Sequence, residues 1–337
     1  MNRTSRRLAV LGSALAGLLT SLLAQPAQAA APVYVALGDS YASGTGTRSY
    51  ISDGTTCQRS TKAYPSLISA ARGYALNFRA CSGAKVADVT NTQLSALTTA
   101  TTYVTVSVGG NDAGFADVLT TCALPGWMSN CNGAISTAQA YINNTLPTQL
   151  SNLYAAIRTR APYAKVVVVG YPRIFQGEDC NALTWFSPDE ESRLNQTADL
   201  LNSRTASVAA TRGFTFANPT TAFIGHAVCD DVEYLNGLSN PISESYHPNV
   251  LGHSNGYSPV VSPVLTGALV AITAEVRADA DASAESQAEL QSQYADADRS
   301  IEPELFLAPD LTTAEARRAA RHAGIDLDRF IALSQRG

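Results

Sequence analysis

Val33-Tyr34-Val35-Ala36-Leu37-Gly38-Asp39-Ser40-Tyr41-Ala42-Ser43-Gly44 is the stretch from which the rest of the chain can be read. Its apolar and β-prone residues run without a polar break into Gly-Asp-Ser, and glycine returns at Gly44 and Gly46. A run of this kind, closed by a glycine turn, is the pattern of a strand covered on both faces, as in a parallel sheet. Ligands of parallel α/β sheets bind just beyond the carboxyl ends of the strands. Ser40 falls two residues past such an end, where a nucleophile is useful. Gly, Asp and Ser are also ordinary turn residues, so the tripeptide alone also fits a plain strand-to-loop turn.

The pattern repeats along the chain. Tyr74 to Ala80 reads as a short second strand that delivers Cys81-Ser82-Gly83-Ala84. Tyr103 to Val108 is a β-branched run that ends in Gly109-Gly110-Asn111-Asp112. Lys165 to Val169, the most apolar strand, ends at Gly170, and Phe214 to Ala217 supplies a fifth. Between them lie helical spacings over Lys62–Arg72, around Val89–Leu97, and over Ile135–Arg160 with an adjustment at Pro147. Ser187-Pro188-Asp189-Glu190 is a capping box with proline at the first helical position, and Leu194, Ala198, Leu201, Thr205 and Val208 trace one face behind it. Asn249 to Glu275 returns as a last helix, irregular near Pro259 and Pro263. Strands alternating with helices give an α/β fold. The expected architecture is a three-layer α/β/α sandwich on a five-stranded parallel sheet of order 2-1-3-4-5.

The first residues have a different purpose. Arg3, Arg6 and Arg7 precede an apolar run from Leu8 to Leu23, and Ala27-Gln28-Ala29 fits a cleavage signal. Residues 1–29 therefore read as a secretory signal peptide, and the pair at Arg6-Arg7 leaves Sec and twin-arginine export both open. No later segment reaches the ~20 apolar residues of a membrane span. Residues 30–277 form the expected catalytic domain. From about Ala278 to Ile301 the composition shifts to Ala, Ser, Gln and Asp, which reads as a mobile linker. Thr312-Thr313-Ala314-Glu315 then opens a short helix closed by Gly324, so 278–337 is a linker with a small helical extension that docks, hangs free or is removed.

A net charge of −5 and a pI near 5.4 argue against a nucleic-acid partner and against simple electrostatic adhesion to anionic membranes. Six cysteines in an exported chain read as three disulfides. Spacing does not select the pairing, although neighbours in order (Cys57 and Cys81, Cys122 and Cys131, Cys180 and Cys229) would close loops worth roughly 3 kcal/mol each. A metal site is the rival use of cysteine, but no pair has the spacing of structural zinc.

In strand order 2-1-3 the ends bearing Gly83, Ser40 and Asn111 are adjacent. A hydroxyl, a backbone N–H and a side-chain amide on one edge suit acyl transfer: the serine attacks, and the other two hold the oxyanion. Taken singly, Asn111 and Gly83 are ordinary turn residues. The base must be a histidine. His322 lies in the tail, and His226 and His253 read as surface or capping residues. His247, in Ser245-Tyr246-His247-Pro248-Asn249, is held extended by the proline and sits where a general base belongs.

Gly38-Asp39-Ser40-Tyr41, Gly83, Gly109-Gly110-Asn111-Asp112 and His247 resemble, in order and rough spacing, the blocks of the GDSL/SGNH hydrolase superfamily. The resemblance spans about Val33 to Gly252 and is nearest to the secreted actinobacterial lipase, esterase and phospholipase A1 branch. It implies Ser40 as nucleophile and His247 as base, with an oxyanion hole from the Ser40 and Gly83 backbone N–H groups and the Asn111 amide. It also implies disulfides between neighbouring cysteines. Many members place an aspartate three residues before the histidine, and here that position holds Glu244. In the branch resembled, a backbone carbonyl two residues upstream, that of Ser245, orients the ring instead. A Ser–His dyad is accordingly expected rather than a Ser–His–Glu triad.

The function expected is a secreted, extracellular, monomeric hydrolase of carboxylic esters, lipids by the resemblance. It would meet a lipid interface transiently and need no metal or cofactor. Phe115, Leu119, Trp127 and Met128 are candidates to line an acyl groove. The alternatives are a carbohydrate-ester deacetylase of the same fold and a non-catalytic binding module.

Overall fold

The computed structural model describes residues 30–334, so the export signal expected over 1–29 lies outside the described residues. The strands are β1 (Val33–Gly38), β2 (Ala75–Phe78), β3 (Thr101–Ser107), β4 (Lys165–Val169) and β5 (Thr215–Ala217). They form one parallel sheet of order β2-β1-β3-β4-β5, which is the order expected. In the chain's first part the helices are α1 (Ser40–Ser43), α2 (Tyr64–Arg72), α3 (Val86–Asn91), α4 (Phe115–Cys122), α5 (Cys131–Asn144), α6 (Leu146–Arg160) and α7 (Pro188–Thr211). After β5 come α8 (Ser258–Thr266), α9 (Ala274–Ala282), α10 (Ala284–Ser292), α11 (Ala295–Asp298), α12 (Ala314–Ala323) and α13 (Leu327–Ser334). Helices α2 and α8 pack together and α6 and α7 pack together, and with the sheet between them the central strands are buried along most of their length.

The register places the ends that matter side by side. Ala36 pairs with Phe78 and Gly38 with Ser107, so the carboxyl end of β1 lies between those of β2 and β3. Gly38 has φ +133°, and a Cβ there would lie 2.3 Å from the Ser107 carbonyl oxygen. Only glycine lets β1 turn toward Ser40 this close to β3. The three disulfides join Cys57 to Cys81, Cys122 to Cys131 and Cys180 to Cys229.

The long helix expected over 135–160 is two helices, broken at Thr145. Pro147 lacks the N–H that a continuous helix would need and instead occupies the first turn of α6, where no donor is required. The last helix expected over 249–275 is a π-helical turn (Gly252–Tyr257) followed by α8, which Gly267 ends with φ +84°.

The stretch from 278 to 301, read from its composition as a linker, has regular structure. It is helical over α9, α10 and α11, with α9 against α2 and α10 against the edge strand β2. Composition misled because the contacts are polar. Gln287 donates to the Leu76 carbonyl (3.0 Å), and Gln291 joins Asn77 and Arg79 (3.2 and 3.0 Å). Asp298 sits between Arg59 (2.5 Å) and Arg79 (2.6 Å), all three fully buried. These groups cover β2, which would otherwise be an open sheet edge. The helix expected from Thr312 begins one residue later, with Thr313 accepting from the Ala316 N–H.

Candidate active site

Asp39 fixes the turn after β1. One carboxylate oxygen accepts the Tyr41 N–H (3.0 Å) and caps α1; the other accepts the Tyr171 hydroxyl (2.5 Å). Burial raises its pKa to about 7. Gln93 holds the preceding residue from below, accepting the Gly38 N–H and donating to the Gly38 carbonyl, each at 2.8 Å. Ser40, at the N-terminus of α1, is thus presented from a braced turn.

Its partner arrives from the loop before α8. His247 Nε2 is 2.9 Å from Ser40 Oγ, and His247 Nδ1 is 2.9 Å from the Ser245 carbonyl oxygen. A carbonyl only accepts, so Nδ1 carries the proton and Nε2 is free to take one from the serine. Burial disfavours the imidazolium more than the Ser245 carbonyl favours it, and the pKa falls to about 4. Tyr246, between the two, has φ +60°, an unusual conformation for a bulky residue. The Tyr41 hydroxyl on its carbonyl (2.6 Å) and its own N–H on Asn236 (3.0 Å) hold it there. That conformation lets residue 245 present its carbonyl to the ring two positions on.

Glu244 is buried but engaged elsewhere, accepting the Tyr50 hydroxyl (2.6 Å) and Arg48 Nε (3.2 Å). The imidazole thus has a carbonyl where a triad would have a carboxylate. Asn111 donates one amide N–H to the Ala84 carbonyl (3.1 Å), which orients the other. Among the described residues no backbone acceptor takes the N–H of Ser40 or of Gly83. Gly83 has φ +84°, and Asp112 ties its neighbourhood to the loop after β3 by accepting the Val86 N–H (3.0 Å). The site can therefore generate an alkoxide-like nucleophile beside donors suited to an oxyanion.

A cavity opens at Ser40, Asn111 and His247, walled by Phe115, Leu119, Ile174, Leu201 and Tyr246. Trp127 and Met128 do not reach it; the Trp127 indole meets Phe330 edge-on at 5.6 Å. His226 is partly exposed, stacked on Tyr234. His253 is not a surface residue: it is fully buried, and through Nδ1 it accepts the N–H of Tyr64, the first residue of α2 (3.3 Å), so it serves that helix as a cap; burial lowers its pKa to about 3. Sequence reasoning missed Gln93 and Tyr171, whose support of the nucleophile turn comes from distant segments with no local signal. A second serine motif, Gly252-His253-Ser254-Asn255-Gly256, has the spelling of a nucleophile elbow. It lies in a π-helical turn rather than after a strand, with the Ser254 hydroxyl bonded to Asn255 (2.9 Å), so it is not one.

The model of the GDSL-like lipase/acylhydrolase family matches residues 36–254, from within β1 to the turn before α8. The chain belongs to that family. Among its relatives, Lipase 1 of Streptomyces coelicolor is 48% identical over 252 residues, covering 74% of this chain and 92% of the relative. A lipase of Streptomyces rimosus is 44% identical over 265 residues, covering 77% and 98%. The crystal structure of the extracellular lipase from Streptomyces rimosus superposes with a TM-score of 0.66 at 46% identity, covering 69% of this chain and all of that one. Phospholipase A1 from Streptomyces albidoflavus NA297 gives the same TM-score at 44% identity, covering 69% and 99%. The family region contains Ser40, Gly83, Asn111 and His247, and the segment beyond residue 254 lies outside it.

Proposed function

We propose that this chain is a secreted carboxylic-ester hydrolase acting on lipids, of the lipase or phospholipase A1 type, working through a Ser40–His247 dyad. The observation that carries the reading is the unbroken relay from Ser40 Oγ through the ring to the Ser245 carbonyl, both links at 2.9 Å. Ser40 Oγ attacks the ester carbonyl carbon as its proton passes to His247 Nε2. The oxyanion is held by the Ser40 and Gly83 N–H groups and the Asn111 amide. Collapse expels the alcohol, which takes the proton from His247 and leaves an acyl-Ser40 ester. Water then gives a proton to His247 and attacks that ester, releasing the acid and restoring the serine.

The apolar wall of Phe115, Leu119, Ile174 and Leu201 supports an acyl chain as the group bound there, and the two solved relatives named for lipase and phospholipase A1 activities support a lipid substrate. The enzyme works as a monomer outside the cell and touches the lipid interface only during turnover. Among the described residues no helix is long and apolar enough to cross a membrane. The test is acyl release from phosphatidylcholine and from triolein by the native chain and by Ser40→Ala. Release by the native chain from at least one lipid, lost in Ser40→Ala, is expected. No release from either, or undiminished release by the variant, would overturn the reading.

A further inference from the structure

Beyond α11 the chain runs without regular structure from Pro303 to Asp310, and its course is over the reactive edge. A Cβ on Gly83 would lie 2.2 Å from the Glu302 carbonyl oxygen and 2.6 Å from Pro303 Cα, so this backbone lies directly against Gly83. Glu304 and Phe306 belong to the wall of the cavity that holds Ser40, Asn111 and His247, whereas Gly83, covered by the strap, does not line it. Phe306 is buried edge-on against Tyr246, 4.9 Å between ring centroids. Glu304 is anchored to Lys85 (2.6 Å), and its other carboxylate oxygen is buried with no partner in the protein. The Leu307 N–H donates to Thr120 Oγ1 (2.9 Å) on α4, the helix that carries Phe115 and Leu119 of the cavity wall.

We propose that residues 302–307 are an intramolecular plug: they cover the Gly83 side of the oxyanion hole and fill the mouth of the acyl groove, so the full chain is held in a low-activity state until they lift. Three features support an inhibitory role over a share in substrate binding. The Glu302–Pro303 backbone packs against the Cα of Gly83, whose N–H is assigned to the oxyanion, and so narrows the approach to that side of the hole. The Glu304 carboxylate lines the same cavity as Ser40 and Asn111, and its oxygen turned away from Lys85 adds negative potential to a site where the reaction develops an oxyanion. The plug also lies outside the family region, and the Streptomyces rimosus lipase structure is matched over its whole length by 69% of this chain. The latch of Asp298 on Arg59 and Arg79 ends just before the plug, so the segment is delivered from a fixed point.

This inference rests on the hydrolase reading, and the experiment separates the two. The rate of Ser40 labelling by a small fluorophosphonate and kcat/KM for p-nitrophenyl butyrate are measured for three proteins. They are the full chain, a chain ending at Ile301, which keeps Asp298, and the full-length variant Phe306→Asp, whose buried charge expels the segment. If the open state is populated in about one-tenth of molecules, both altered proteins gain about tenfold in each rate. A synthetic peptide of residues 302–310 added to the shortened chain then slows it again. Unchanged or lower rates in both altered proteins, with near-ultraviolet circular dichroism showing them folded, would overturn the plug and leave the hydrolase intact. Absence of labelling in all three would overturn the hydrolase reading and the plug with it.

Discussion

Replacing Asp298 with alanine removes the carboxylate that two buried guanidinium groups share. Arg59 keeps Asp53 at 2.5 Å and the Ala80 carbonyl at 3.0 Å, so its charge remains met. Arg79 keeps only the Gln291 side-chain oxygen (3.0 Å) and the face of Tyr294 (3.9 Å), and its Nε already has no partner. Burial lowers the Arg79 pKa even with Asp298 present, so the stranded cation is the costly one. Breaking a buried pair from one side costs about 3–5 kcal/mol. At about 2–4 °C per kcal/mol for a large domain, the melting temperature should fall by roughly 10 °C. The chain can escape part of that cost by releasing α9–α11, which exposes Arg79 to water. Limited proteolysis should then cut the variant within 274–334 while the native protein is spared. A variant that melts within about 1 °C of the native chain, with the same digestion pattern, would refute the claim that this ion cluster holds the C-terminal helices.

Asn111→Ala should lower kcat on p-nitrophenyl butyrate by about 100- to 1,000-fold with the fold intact, because one oxyanion donor is lost. Glu244→Ala should keep kcat within about tenfold, since the carboxylate serves Tyr50 and Arg48 rather than the imidazole; a loss as large as that of Asn111→Ala would restore the triad. With the His247 pKa lowered to about 4, its base form is present from mildly acidic pH upward. The acid limb of kcat/KM should therefore fall near pH 4, and a limb centred at the ordinary histidine value of about 6.5 would contradict the buried ring. The sign for stability follows from the same shift. Between about pH 6.5 and 4 the unfolded chain binds the histidine proton and the folded one does not, so this residue makes the fold less stable as pH falls through that window. Asp39, raised to about 7, acts in the opposite sense.

What could be read from the sequence was what local patterning encodes. The β1 run, the glycines after β1, β2 and β3, and the capping box at Ser187 are short-range signals, and the alternation of elements implied a parallel sheet without fixing its strand order. Ser40, Asn111 and His247 could be picked out only together, from strand ends that converge on one edge and from blocks that resemble a known family in order and spacing; the structure brings Ser40 and His247 within 2.9 Å. Gln93 on Gly38 and Tyr171 on Asp39 were not, because those contacts span 55 and 132 residues. The C-terminal segment was misjudged for a related reason. Its few apolar residues suggested a linker, while its attachment runs through Gln287, Gln291 and Asp298 to buried partners more than 200 residues away. The burial of His253 was not legible because the Tyr64 ring stacked on it comes from a segment 189 residues away.

The most direct test of the central claim is to mix the enzyme with phosphatidylcholine or p-nitrophenyl butyrate, quench with acid in the pre-steady state, and find the acyl group by peptide mass spectrometry. The peptide containing Ser40 should carry one acyl ester, absent in Ser40→Ala and accumulating far more slowly in His247→Ala. Turnover with no acylated Ser40, or with the acyl group on another residue, would contradict the account.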